Sequence, residues 1–165
     1  MESRTIKTGC SHFAGEYRKY KRSGYNVIKA MCEFVDNIIT KCSTINISIE
    51  TDSDNIIHQI KISDDYSEGF ENICSEGTAN PFNMTHMREG QDLDSETSQF
   101  GIGMKAGAIS LAQKMIIYTY VDNSYLKIIL DFEAMCKIKD PVASFDFQLI
   151  KVSKSEFNKY HPFEH

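Results

Sequence analysis

Three groups of residues, far apart in the chain, have types and spacing that could do chemistry on a phosphate. The first is Gln99-Phe100-Gly101-Ile102-Gly103-Met104-Lys105, which runs on into Ala106-Gly107-Ala108. A backbone that bends at glycines just before a helix presents free N–H groups and the positive end of the helix dipole to one point, which suits an anion. Lys105 adds a point charge to a phosphate held there. A GxG triplet alone is a weak signal, since such triplets occur by chance. Its setting strengthens it: a polar run from Thr97 leads in, and a small-residue helix and an apolar strand, ending at Tyr120, lead out.

The second group is Glu33 and Asn37, four residues apart and so on one side of a helix, roughly opposite its apolar stripe. A carboxylate and an amide placed in this way can orient a water and hold a metal ion through oxygen. A solvated helix face is the plainer reading of the same spacing. The third group is Asp64-Asp65 at the end of a strand, with Gly69 soon after. A carboxylate at the mouth of a sheet accepts a hydrogen bond from an exocyclic amine such as that of adenine. Either aspartate could take that role, and a turn or cap aspartate is the commoner use of the residue. Gly69 permits close backbone approach to a ligand, or serves as a turn glycine.

The elements that must carry these residues follow from periodicity. Tyr25 to Lys41 places Val27, Ile28, Met31, Val35, Ile38 and Ile39 on one helical face. Thr44 to Glu50 alternates strictly with Ile45, Ile47 and Ile49, the mark of a half-buried strand. The cluster at 51–55 is a turn, and Ile56 to Ser63 is a second strand that stops at the two aspartates. Residues 66–98 hold many acids and no sustained period, a length of irregular chain that is usually functional or mobile. Strands are expected at 114–121, 125–132 and 144–152, with a hairpin turn at Asp122-Asn123-Ser124 and a short helix after Lys154. Residues 1–24 read as an irregular arm or strap ahead of one domain over 25–165. A helix layer against a mixed sheet follows, an α+β fold.

Composition narrows the class. Hydrophobic residues make up 41% and charged residues 25% of the chain, which suits an ordered globular domain. A net charge of −5 gives no global attraction to nucleic acid or to an anionic membrane. Basic residues crowd the first 30 positions while 50–96 is acidic, so a basic arm that touches DNA or a partner competes with a merely solvated segment. The five cysteines include no CxxC pair, and reduced thiols inside a cell are expected. No apolar run approaches the ~20 residues of a membrane helix. His12, His58 and His86 read as loop or strand histidines.

Taken in order, these motifs resemble those of the GHKL ATPases, the superfamily of gyrase, the heat-shock chaperone, histidine kinases and the mismatch-repair protein. A helix with Glu33, Asp36 and Asn37, a strand ending in an aspartate with a glycine soon after, a variable lid and then QFGxGxKAG are shared over about residues 24–132. AMCEFVDN and KAGAISLA look most like the microrchidia (MORC) branch. The resemblance implies a two-layer α/β sandwich of Bergerat type, a mixed sheet with helices on one face, and ATP, ADP and Mg²⁺ as ligands. It implies Glu33 as general base, Asn37 as Mg²⁺ ligand, and Asp64 with Gly69 on the adenine side. Gln99, Phe100, Gly101, Ile102, Gly103, Met104 and Lys105 would cradle the phosphates, and residues 71–98 would form a lid. It further implies homodimerisation on ATP binding and a DNA or chromatin partner, with no membrane association.

Several positions depart from the family pattern. Tyr66 stands where its first glycine falls, with one residue inserted before Gly69, and Ile38-Ile39-Thr40-Lys41 replaces a small-residue segment. The glycine–threonine pair of a later strand and the neighbouring transducer domain are expected to be missing. Two functions are therefore carried: an ATPase, and a non-catalytic nucleotide-binding or protein-interaction module on the same fold. Protein kinase and dinucleotide-binding readings fail because each places its glycine loop just after the first strand.

Overall fold

The computed structural model describes residues 3–6, 13–22, 24–83, 103–138 and 147–163. Along the chain lie β1 (Ser3–Ile6), α1 (Phe13–Lys21), α2 (Val27–Ile38), β2 (Ile45–Thr51), β3 (Ile57–Asp64), α3 (Gly103–Leu111), β4 (Lys114–Val121), β5 (Ser124–Asp131), α4 (Phe132–Lys137), β6 (Phe147–Lys151) and α5 (Lys154–Asn158). Helices and antiparallel strands make the α+β class plain.

The strands fall into two groups. β1, β6, β5 and β4 form a four-stranded sheet in that order, while β2 and β3 form a separate hairpin. Every pairing among the described residues is antiparallel. The β4–β5 turn has Asp122 and Asn123 both at positive φ, 49° and 56°, the geometry that a two-residue hairpin needs. Along β5, Leu126, Ile128 and Leu130 are buried and meet Phe147 and Leu149 of β6 and Ala106, Ala108 and Ile109 of α3 in one core. α5 serves the other face, where Phe157 packs 5.0 Å from Tyr125 and Tyr160 stacks 4.5 Å from Tyr118.

Residues 1–24, expected to be irregular, carry β1 and α1 instead. Ile6 anchors the strand at 1% exposure, and Tyr20 is buried with the core, so a few large apolar side chains order a mostly polar segment. The expected strand 125–132 gives way at Phe132 to α4, because the Asp131 side chain accepts the Ala134 N–H and caps a new helix. The start of the expected lid is also ordered. Ile73, Asn80 and Phe82 are buried, and Asn80 donates to the carbonyls of Ile73 and Ser75 while accepting the Phe82 N–H. Phe82 lies 5.8 Å from Phe70 and 5.3 Å from Phe147, which pins 70–83 to the sheet. The rest of the expected lid, 84–98, lies outside the described residues.

Truncation of the core should cost far more than truncation of the surface. Ile128→Ala should lower unfolding free energy by about 2–5 kcal/mol, and Ile116→Ala, at a 49% exposed site on the neighbouring strand, by under about 1 kcal/mol, as read by urea denaturation.

Candidate functional site

α2 begins at Asn26, whose side chain accepts the Lys29 N–H at 2.8 Å and ends the fraying of the first turn. The helix is buried on a side that its apolar stripe does not mark. Val27, Ile28 and Ile39 are exposed, Ile28 by 75%, while the one fully buried residue of α2 is Ala30. Ala30 faces Gly107 of α3: a Cβ on Gly107 would come within 2.9 Å of the Ala30 carbonyl oxygen and 3.5 Å of the Glu33 Cβ. Small residues let the two helices approach closely, and this brings the Glu33 side, not the aliphatic stripe, against α3.

The first turn of α3 then meets Glu33. A Cβ built on Gly103 would fall within the Glu33 carboxylate, on Oε2. The other carboxylate oxygen, Oε1, accepts a hydrogen bond from the Tyr25 hydroxyl at 3.0 Å. Burial, then this bond and the nearby carboxylate, raise the Tyr25 phenol above its ordinary value. Lys29 Nζ sits 4.7 Å over the Tyr25 ring, so the ring is held from both ends. One turn along, Asn37 Nδ2 donates to the Glu33 main-chain carbonyl. That contact engages the amide nitrogen and leaves Oδ1 as the available oxygen. Glu33 thus lies in the contact between the two helices, while Asn37 lines the cleft.

Asn37, Asp64, Gly69 and Met104 all line one large cleft between the helices, the β2–β3 hairpin and β4. The two aspartates at the end of β3 differ. Asp65 Oδ1 accepts the Ser43 and Thr44 N–H groups at 2.8 and 3.1 Å, tying the start of β2 to the end of β3. These bonds, Thr44's first, hold its carboxyl below the ordinary aspartate value. Asp64 lines the cleft; its Oδ1 accepts the Tyr66 N–H at 3.0 Å and its carbonyl the His161 ring N–H at 3.0 Å. Gly69, at φ +66°, lies so close to the Tyr120 carbonyl and Thr119 that no Cβ would fit, so its close approach is to β4. Tyr66 also borders the cleft, with its hydroxyl donating to Glu68 at 2.8 Å and Lys41 Nζ 5.5 Å from its ring.

Lys105 lies apart from this group. Its side chain is buried, and Nζ donates to the Asn83 carbonyl. Gln99, Phe100, Gly101 and Ile102 lie outside the described residues. Tyr25, Asn83 and His161 bear on the site without having been singled out from the sequence: Asn83 and His161 act across long separations and through main-chain carbonyls, while Tyr25 reaches Glu33 from outside the helix that carries it.

Among the described residues no cluster of three histidine, cysteine or acidic side chains could cage a metal. Mg²⁺ does not need one: it is commonly held by one or two protein oxygens together with substrate phosphates, a demand that Asn37 Oδ1 fits.

The Histidine kinase-, DNA gyrase B-, and HSP90-like ATPase family matches residues 25–162. The chain belongs to this family. No curated protein and no solved structure matches it. In this GHKL-type domain the matched span begins at Tyr25 and takes in α2, the cleft and α3. No helix among the described residues is long and apolar enough to cross a membrane.

Gly103→Ala should push the Glu33 carboxylate away from α3 and break its contact with Tyr25. The Tyr25 phenol, followed by ¹³C NMR of labelled tyrosine, should then titrate closer to pH 10; an unchanged titration would show the methyl group is accommodated. Lys105 predicts a pH effect on stability. Burial lowers its ammonium from 10.5 to about 7. Between those values the unfolded chain binds a proton that the folded chain does not, so stability rises with pH from about 7 to about 10, and below 7 folding carries the full cost of the buried charge. Lys105→Met should remove this rise when denaturation of the two proteins is compared at pH 7 and pH 9.

Proposed function

We propose that this GHKL-type domain binds ATP with Mg²⁺ in the cleft beside α2 and α3 and hydrolyses the terminal phosphate. The observation that carries the reading is the contact of the Glu33 carboxylate with Gly103, one helical turn from Asn37. This contact supports the reading because it brings a carboxylate against the first residue of a nine-residue helix.

In this reading Tyr25 holds Glu33 Oε1, and Oε2 at the first residue of α3 takes a proton from the attacking water. The main chain of Gly103 and Met104 faces the phosphates, and the N-terminal end of α3 favours their charge. Asn37 Oδ1 is the protein ligand for Mg²⁺, which when bound offsets phosphate charge. Asp64, which lines the cleft, accepts the adenine amine, and Tyr66 beside it offers a ring face to the base. Lys105 acts from behind, fixing Asn83 and through it the start of the segment that leads to 84–98. Closure of the expected lid, 71–98, over ATP and the pairing of two chains rest on the likeness to GHKL ATPases, and engagement of DNA or chromatin rests on the MORC-like motifs AMCEFVDN and KAGAISLA alone.

The inward-turned Lys105 favours the second reading, a module that binds nucleotide without turnover. The readings separate by Mg²⁺-dependent phosphate release and by isothermal titration with ATP, ADP and a non-hydrolysable analogue. Hydrolysis that disappears in Glu33→Ala while ATP binding persists is the expected result. Binding without release in the wild type supports the module, and no binding ends both readings.

A further inference from the structure

His161 stands between two main-chain carbonyls. Its Nε2 lies 3.0 Å from the Asp64 oxygen, 97 residues away, and its Nδ1 lies 3.2 Å from the Phe163 oxygen. A carbonyl has no proton to give, so each of these bonds needs an N–H on the ring. Neutral imidazole carries one N–H and the imidazolium carries two. In either neutral tautomer one nitrogen lone pair points at a carbonyl oxygen, and a bond becomes a repulsion. The charged ring alone serves both carbonyls.

Neighbouring rings fix this attitude. His161 stacks on Phe157 at 5.0 Å and 24°, and the Phe163 ring meets it edge-on at 5.5 Å. Phe157 is buried and packs on Tyr125 of β5, so the histidine is seated on the four-stranded sheet. The ring itself is half-buried and can exchange protons with solvent. Its bond to Asp64 completes a two-sided hold on one peptide unit. The Asp65 N–H of that unit donates to the Thr44 carbonyl at 3.3 Å, and the Asp64 carbonyl accepts from His161. Fixing that plane fixes the main chain at Asp64, which lines the cleft.

The charged and titratable groups around the ring, among the described residues, come from four elements. Lys127 of β5 lies 3.5 Å from Glu156 of α5 and 5.4 Å from the Tyr118 ring of β4, and Tyr118 stacks on Tyr160. These groups are engaged with one another. On the β3 side stand the carboxylates of Asp64, which accepts the Tyr66 N–H, and of Asp65, which accepts those of Ser43 and Thr44. An anion on that side attracts a charged ring.

We propose that His161 is a positioning residue for Asp64: as an imidazolium it clamps the end of β3 to the chain that follows α5, and on losing its proton it lets that end go. The consequence for nucleotide rests on the proposed role of Asp64 as acceptor of the adenine amine. Histidine changes charge between about pH 5 and 8 and is protonated on the acid side. The clamp is therefore closed at the acid end of that range and opens as pH rises. Binding of an adenine nucleotide weakens in the same sense.

The test follows the full chain, labelled with ¹³C and ¹⁵N, by NMR from about pH 5 to about pH 8. At the acid end both ring nitrogens of His161 should carry protons in long-range ¹H–¹⁵N spectra. The Asp64 and Phe163 carbonyl ¹³C signals should move with the same midpoint as the ring. His161→Phe keeps the stack and lacks both N–H groups, and His161→Gln lacks the titration; neither variant should show that midpoint at the two carbonyls. In isothermal titration with Mg²⁺ and a non-hydrolysable ATP analogue, the wild type should bind about fivefold more weakly at the alkaline end, once the change seen in His161→Phe is divided out. Carbonyl signals indifferent to the ring's titration would overturn the proposal, as would affinities of wild type and variant that change with pH by the same factor. If the analogue binds at neither pH, the proposed nucleotide site falls, and the carbonyl titration by itself decides whether the clamp exists.

Discussion

Gly103 and Gly107, one turn apart on α3, bear directly on Glu33 and Ala30, one turn apart on α2. Removing two side chains from one helix lets the backbones approach until a carboxylate touches the first residue of the other helix. Larger residues at either glycine would force the helices apart by the width of a methyl group or more, and the carboxylate would lose both its neighbour and its aim. The arrangement also explains why α2 leaves Ile28 exposed while burying Ala30: close approach rewards smallness at the contact more than aliphatic bulk. Tyr25 completes the placement by holding the far oxygen of Glu33, and the geometry of one charged group is then set from two sides.

Much of this was legible in the sequence, for identifiable reasons. The strict alternation of Ile45, Ile47 and Ile49 reports β2 because side chains that switch faces at every residue belong to an extended strand and not to a helix. The order of α2, β2, β3, α3 and β4 follows in the same way. Candidate site residues could be named where type and spacing are local, as with Glu33 and Asn37. What the sequence withheld depends on long-range packing. Nothing in Lys105 itself says that its ammonium turns toward Asn83, and nothing in 1–24 says that Ile6 pairs its strand with β6. The aspartates at 64 and 65 look alike until the Ser43 and Thr44 amides are seen to engage the second one. The apolar stripe of α2 misdirects because hydrophobicity marks a face as suited to burial without saying which neighbour arrives.

The sheet shows the same dependence on partners. β4, β5 and β6 share a well-filled core with α3, whereas the β2–β3 hairpin leaves Ile47 and Ile49 at 44% and 47% exposure. Among the described residues the hairpin is joined to the remainder at one end, through the His161 bond to the Asp64 carbonyl and the Gly69 turn against β4. Asn37 and Asp64, which both line the cleft, therefore sit on two bodies bridged at one end of it, so whatever fills that cleft also sets their separation.

The central claim is that α2 and α3 jointly hold a phosphate-bearing ligand at Gly103. The most direct measurement is titration of Mg²⁺ and a non-hydrolysable ATP analogue into the ¹⁵N-labelled chain, following the Gly103 main-chain amide and the Asn37 side-chain amide by NMR. The account predicts that both signals move together and saturate at one ligand concentration. Movement of neither signal, or saturable shifts confined to residues remote from α2 and α3, would contradict it.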